Sequence, residues 1–121
     1  LAESDKEATR SANENIKDNK IKNAKVYTGE SEKLDLSKFI RRSDTLIVDP
    51  PRSGLHPKAL KQVLEIRPKH FIYVSCNPLT QARDYKSIKK YYKTVHWKLF
   101  DLYPQTPHCE SVIIMKRKLF R

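Results

Sequence analysis

Cys76 is of a type that allows covalent chemistry, and carboxylates such as Asp49 and Glu110 are of a type that allows proton transfer. A thiolate is both a good nucleophile and a good leaving group, and a carboxylate placed apart from it can remove a proton. By itself a cysteine reads as a small buried hydrophobe and a glutamate as a solvated carboxylate, so context has to decide. Two short polar runs supply it: Asp49-Pro50-Pro51-Arg52 and Ser75-Cys76-Asn77-Pro78 each follow an apolar stretch and are stiffened by proline. Asp49 ends such a stretch, where an unpaired carboxylate would be costly and should have a partner. His56, His70, His96 and His108 are scattered, with no CxxC or HxxxH spacing, so no metal site is expected. Cys76 and Cys109, in a chain without secretory features, read as free thiols of a reducing compartment, and the expected location is cytoplasmic, or nuclear or mitochondrial in a eukaryote.

The elements that must position these residues alternate helix and strand. Asp5 to about Asn19 reads as a helix capped by Ser4 or Asp5, with Ala8, Ala12 and Ile16 at helical spacing. Ala24 to Tyr27 is a short strand stopped by Gly29, and Glu30 to Leu36 is a loop or short helix. Asp44 to Asp49 is a strand without alternation, as expected of one buried on both faces of a parallel sheet, and Pro50-Pro51 ends it. Pro57 opens a helix to about Ile66, Phe71 to Ser75 is a strand, and Thr80 to Tyr92 is a helix. Val95 to Tyr103 and Ser111 to Lys116 are strands with no helix between them, hence an antiparallel pair. The pattern predicts an α/β fold with a mostly parallel sheet, whose site lies beyond the carboxyl ends of the strands, where the two polar runs fall.

Composition narrows the partners. The 121 residues carry 25 Lys+Arg against 14 Asp+Glu, a formal net charge of +11, which points to an anionic partner, either nucleic acid or an acidic membrane surface, or else to a merely solvated basic face. No window approaches the roughly 18 apolar residues of a membrane span. Gly29 and Gly54 are the only glycines, so no Gly-rich cofactor turn is present.

Three runs in order carry a resemblance: Val48-Asp49-Pro50-Pro51-Arg52-Ser53-Gly54-Leu55, then Tyr73-Val74-Ser75-Cys76-Asn77-Pro78 with Thr80, Ala82, Arg83 and Asp84, then Asp101 through Val112 with His108-Cys109-Glu110. Together they resemble the RNA (uracil-5)-methyltransferase family, which uses S-adenosylmethionine and includes tRNA T-loop and ribosomal RNA enzymes. Leu1-Ala2-Glu3 and the following helix also look like that family's second strand end and next helix. The resemblance implies the C-terminal part of a class I, Rossmann-like methyltransferase fold, with residues 1–121 the C-terminal portion of a catalytic domain whose first strand and Gly-rich turn are missing. On the same basis Cys76 is the nucleophile that adds to uracil C6, and Glu110 is the base that removes the C5 proton. Glu3 would meet the cofactor ribose and Asp49 the pocket beside cofactor and base. Arg52 and Asn77 would orient the loop, Arg83 and His108 would face substrate, and Cys109 would only pack.

Flipping of the uridine out of an RNA loop is the implied recognition mode. Basic side chains from Arg83 to Lys93, and at Lys116, Arg117, Lys118 and Arg121, would hold flanking phosphates. The wording of Pro104 to Glu110 is closer to the tRNA enzymes than to the ribosomal RNA ones. The rival reading is a basic RNA-binding module without catalysis. Amino-group methyltransferases favour an aromatic after paired prolines, where this chain has Arg52. Because the sequence starts mid-pattern at Leu1, it reads as a piece of a longer protein. The edge of the Asp44 to Asp49 strand is then left exposed, and the isolated residues neither bind cofactor well nor methylate RNA.

Overall fold

The Asp5 carboxylate accepts a hydrogen bond from the Ala8 backbone N–H at 2.8 Å, and this cap starts helix α1 (Lys6–Asp18). Asn19 closes the helix, and Lys20 follows in a left-handed conformation with φ 54°. The buried contact of α1 is Thr9, not the neighbouring Ala8 of the expected stripe. Thr28 donates to the Thr9 hydroxyl, which ties the helix to a two-stranded parallel sheet of β1 (Ala2–Glu3) and β2 (Tyr27–Thr28). These elements make up one compact unit, residues Leu1–Leu36, of a chain that the computed structural model describes over residues 1–119. Arg121, one of the basic residues singled out above, lies outside the described residues.

The second unit, beginning at Ser37, holds β3 (Thr45–Val48), α2 (Pro57–Ile66), β4 (His70–Ser75), α3 (Pro78–Ile88), β5 (Tyr92–Phe100) and β6 (Glu110–Arg117). The strands form one sheet in the order β3-β4-β6-β5. β3 runs parallel to β4, while β6 lies antiparallel between β4 and β5 and is the one reversed strand. The antiparallel pair expected at the end of the chain is present, and its last strand is inserted beside β4 rather than at an edge.

Alternation along β4 and β6 defines one fully buried face. Phe71, Tyr73 and Ser75 stand opposite Met115, Ile113 and Ser111, and all six are buried. Phe71 makes an edge contact with the Tyr92 ring at 5.7 Å, and Ile88 of α3 and Val63 of α2 complete the core. The opposite face carries Ile72, Val74, Val112 and Ile114, which are only half-buried. β3, expected to be buried on both faces, alternates instead: Ile47 is 64% exposed, because β3 is an edge strand with β4 as its one ladder partner among the described residues. Among the described residues no helix is long and apolar enough to cross a membrane.

Candidate functional site

Antiparallel register is what joins Cys76 and Glu110. Ser75 pairs with Ser111 at the end of the β4–β6 ladder, and Cys76 and Glu110 are the next residue along on each side, just beyond that last pair. Cys76 and Glu110 line one cleft of about 220 Å³ together with Arg52, Tyr103, His108 and Cys109. That volume lies below the roughly 300–1,000 Å³ of pockets for drug-sized ligands, and suits a single planar base. Both cysteines are free thiols.

Three loops meet at the cleft. The β3–α2 loop brings Arg52 and the β5–β6 loop brings His108, and Arg52 Nη2 lies 3.3 Å from His108 Nδ1. Since a guanidinium can only donate, the His108 ring accepts at Nδ1 in this contact. Cys76 immediately precedes Asn77, the N-cap of α3, so the positive end of that helix and the Arg52 guanidinium both favour negative charge developing in the cleft. Pro78 starts α3 two residues before the Thr80 read from the sequence, because Asn77 Oδ1 caps the Leu79 N–H at 3.1 Å.

Asn77 and its neighbours fix the Arg52 loop to α3. Asn77 Nδ2 and the Thr80 hydroxyl each donate to the Arg52 carbonyl at 3.1 Å, and Arg83 Nη2 donates to the Ser53 carbonyl at 2.9 Å. Beneath them Asp84, 4% exposed, accepts from the Tyr73 hydroxyl at 2.7 Å and the Leu55 N–H at 2.9 Å. Arg83 Nε and Nη2 donate to its other oxygen. Burial, and next the Asp84 carboxylate, push the Tyr73 phenol well above its ordinary range. Gly54 takes φ +85° in this loop, where a side chain would run into Arg83 and Asp84.

A second buried network holds β6 in place. The Gln81 amide donates to the Tyr73 carbonyl and accepts from the Ser111 hydroxyl at 2.6 Å, and the Trp97 indole donates to that same hydroxyl. Ser111 adjoins Glu110, so α3 positions the carboxylate as well as the thiol.

Of the residues singled out from the sequence, the cleft gathers Cys76, Glu110, Arg52 and His108, with Asn77 fixing its loop. Arg83 is committed to Asp84 and the Ser53 carbonyl, although its side chain remains 57% exposed. Asp49, expected to have a partner, is exposed and has none among the described residues. Glu3 belongs to the first unit, at the end of β1; the Asp5 N–H first, and the Ser4 backbone next, hold its carboxyl below the usual range. Lys116 and Arg117 lie at the far end of β6 from Glu110, about 20–24 Å away at about 3.4 Å per residue. Cys109, expected only to pack, lines the cleft half-buried, and the exposed Tyr103 lines it too. The signal that could have found Tyr103 is its place in the same Asp101-to-Val112 run as Glu110.

The profile of the tRNA (uracil-5-)-methyltransferase family matches residues 1–118. An uncharacterized RNA methyltransferase of Bacteroides thetaiotaomicron is 39% identical over 113 residues, covering 91% of this chain and 25% of the relative. Another, from Clostridium acetobutylicum, is 37% identical over 114 residues, covering 93% of this chain and 25% of the relative. The chain thus spans about a quarter of the length of these curated relatives. Among solved structures, the Pyrococcus abyssi tRNA (uracil-54, C5)-methyltransferase in complex with S-adenosyl-L-homocysteine superposes with a TM-score of 0.82 at 34% identity. That match covers 94% of this chain and 27% of the other. An rRNA methylase from Streptococcus thermophilus reaches a TM-score of 0.70 at 10% identity, covering 98% of this chain and 72% of that one, which speaks for the Rossmann-like fold alone.

Proposed function

The chain belongs to the tRNA (uracil-5-)-methyltransferase family, and from that premise we propose that it carries the catalytic portion of an enzyme that methylates C5 of a uridine in RNA. The observation that carries the reading is the cleft in which register brings Cys76 and Glu110 together.

Uracil C5 is a poor nucleophile until C6 is made tetrahedral. Cys76 Sγ adds to C6, and the electron pair of the C5–C6 double bond moves toward O4 as an enolate. Arg52 and the N-terminus of α3 favour that negative charge. S-adenosylmethionine, when bound, supplies the methyl group that the activated C5 takes. Glu110 then removes the C5 proton, the electron pair re-forms the C5–C6 double bond, and the C6–S bond breaks to release the Cys76 thiolate. Asn77, Thr80 and Arg83 hold the loop bearing Arg52, and Gln81 with Ser111 holds the strand bearing Glu110.

Each unit offers an acceptor of the kind the cofactor needs. In the first unit, Glu3 ends β1 with one carboxylate oxygen bonded to the Asp5 N–H, which leaves the other to accept from ribose hydroxyls. In the second, Asp49 at the carboxyl end of β3 is exposed and has no partner among the described residues. The substrate favoured is tRNA over ribosomal RNA, supported by the family profile and by the tRNA specificity in the name of the Pyrococcus abyssi enzyme. The cellular setting proposed is the cytoplasm. By themselves the 121 residues are proposed to be inactive, in keeping with the quarter of their relatives that they span, and turnover by these residues alone would refute that part.

The test is trapping. RNA carrying 5-fluorouridine has no C5 proton to lose, so the adduct should persist as a cofactor-dependent covalent band with the full-length protein and vanish in Cys76→Ala. An unchanged band in Cys76→Ala would sink the covalent mechanism. No band and no methyl transfer with any RNA would favour a binding module.

A further inference from the structure

The end of the four-stranded sheet away from the cleft gathers cations without counter-charges among the described residues. Arg67 and Lys69 follow α2, Lys93 is the second residue of β5, Lys116 and Arg117 close β6, and Lys118 follows it. The backbone brings them together. Arg117 N–H donates to the Lys69 carbonyl, Lys118 N–H donates to the Tyr91 carbonyl, and Lys93 stands directly opposite Lys116 in the ladder.

Like charges facing each other across two strands destabilise a sheet. Neither lysine has a carboxylate within ion-pair distance among the described residues, and the same holds for Arg67, Lys69, Arg117 and Lys118. Arg117 is tied into the fold: its Nη1 donates to the Arg67 carbonyl at 2.6 Å and to the Arg42 carbonyl at 3.0 Å, which fixes the floor of the cluster. Arg67 stacks over the Tyr91 ring at 5.2 Å, and its buried Nε has no hydrogen-bond partner among the described residues. Between the ends of β5 and β6 lies a groove of about 640 Å³ lined by Lys93, Thr94, Val95, Lys116, Lys118 and Leu119. Lys93 and Lys116 are exposed there, and Lys118 Nζ makes one bond, to the Lys89 carbonyl, which leaves two of its three protons for a ligand. An unneutralised cationic groove with a rigid floor is complementary to a chain of phosphates.

We propose that this groove is a second RNA contact, which binds backbone phosphates of a part of the RNA remote from the uridine in the cleft. The inference rests on RNA being the substrate. β6 sets the distance: about 20–24 Å separates Glu110 from Lys116 and Arg117, too far for the nucleotides that flank the flipped base. At about 3.4 Å per base-pair step that distance is about six or seven steps, so the ligand must be an RNA that extends that far from the target uridine, and a stem-loop of only two or three base pairs would engage the cleft alone.

The experiment uses the full-length protein, with Lys93→Gln/Lys116→Gln/Lys118→Gln and the matching triple Arg replacement. Each protein is titrated with a complete tRNA transcript and with such a short stem-loop holding the target uridine, between about 50 and 200 mM salt. Removing one phosphate contact makes the slope of log K against log salt shallower by about 0.7–0.9. The Gln triple should therefore bind the transcript with a slope shallower by about 2–3 and at least about tenfold more weakly at low salt. It should methylate the stem-loop with unchanged kcat/KM, and the Arg triple should behave as wild type. Equal slopes for the Gln triple and wild type on the transcript would overturn the proposal, as would an equal weakening on both RNAs. Weaker binding to anionic vesicles with RNA binding intact would assign the groove to a membrane and overturn it too. Failure of the wild-type protein to methylate either RNA would instead bring down the reading of the cleft.

Discussion

Gly54→Ala puts a methyl group into the tightest part of the loop that carries Arg52. The Cβ would stand 2.6 Å from Arg83 Nη2, 2.8 Å from Asp84 Oδ2 and 3.3 Å from Thr80 Cβ. Arg83 Nη2 is the far end of a half-exposed side chain and can shift by a few tenths of an ångström, straining its bonds to Asp84 Oδ1 and the Ser53 carbonyl without losing them. Asp84 cannot: it is buried, and its Oδ2 holds both the Tyr73 hydroxyl and the Leu55 N–H. To reach ordinary contact Oδ2 must retreat by roughly half an ångström, which stretches two bonds to a charged acceptor, each worth about 1.5–3 kcal/mol. Losing half of their combined strength costs about 1.5–3 kcal/mol, and an alanine at φ +85° adds about 1–2 kcal/mol of backbone strain. The expected drop in stability is thus about 3–5 kcal/mol, read from urea unfolding with the m-value unchanged. The same loop bears Arg52, so kcat should fall with stability. Gly54→Ala/Arg83→Gln distinguishes the two clashes. If stability returned to that of Arg83→Gln alone, the conflict would lie with Arg83, and the argument from a fixed Asp84 would be wrong. A drop below about 1 kcal/mol for Gly54→Ala would refute it outright.

Glu110→Gln should lower kcat by about 10²–10⁴ and leave the methylated adduct attached to Cys76 on ordinary uridine RNA, visible as a band of reduced mobility; free turnover without an adduct would remove Glu110 as the base. Alongside Tyr73, whose phenol is also raised, Tyr92 contributes to the alkaline limit of stability. Burial pushes its phenol up to about 12, whereas the unfolded chain ionises near pH 10. Between those values the unfolded state sheds a proton that the native state keeps, so stability falls as pH rises from about 10 to about 12, by on the order of 2 kcal/mol. Tyr92→Phe should flatten that fall in urea titrations at successive pH values, and parallel curves for variant and wild type would contradict the assignment.

Local chemistry made much of this legible. Pro57 at the first turn and the apolar spacing after it place α2 at the bounds read from the sequence. The β4 run and the α/β alternation follow from the same kind of signal. Tertiary contacts moved the other boundaries. β5 begins at Tyr92 rather than Val95 because Tyr92 packs on Phe71 and donates to the Pro68 carbonyl, and α3 ends at Ile88 to allow it. A run such as Leu46-Ile47-Val48 records hydrophobicity but not how many neighbours cover it, which is why Ile47 reads as buried from sequence and is exposed at the edge. In the site, Cys76 and Glu110 were legible through their motifs. The Arg83 contact with Ser53, 30 residues away in sequence, leaves no mark in local spacing.

The insertion of β6 between β4 and β5 has a consequence for how the protein is made. During synthesis β4 and β5 emerge with no direct pairing to each other, and the strand that joins them is the last of the six to appear. Ser75 waits for Ser111, 36 positions later, so the pairing that brings Cys76 beside Glu110 closes one of the longer loops in the unit. The thiol is translated early, and the carboxylate that lines the same cleft arrives only with β6. A partly emerged chain therefore holds Cys76 without Glu110, and the cleft forms only when β6 joins β4 and β5.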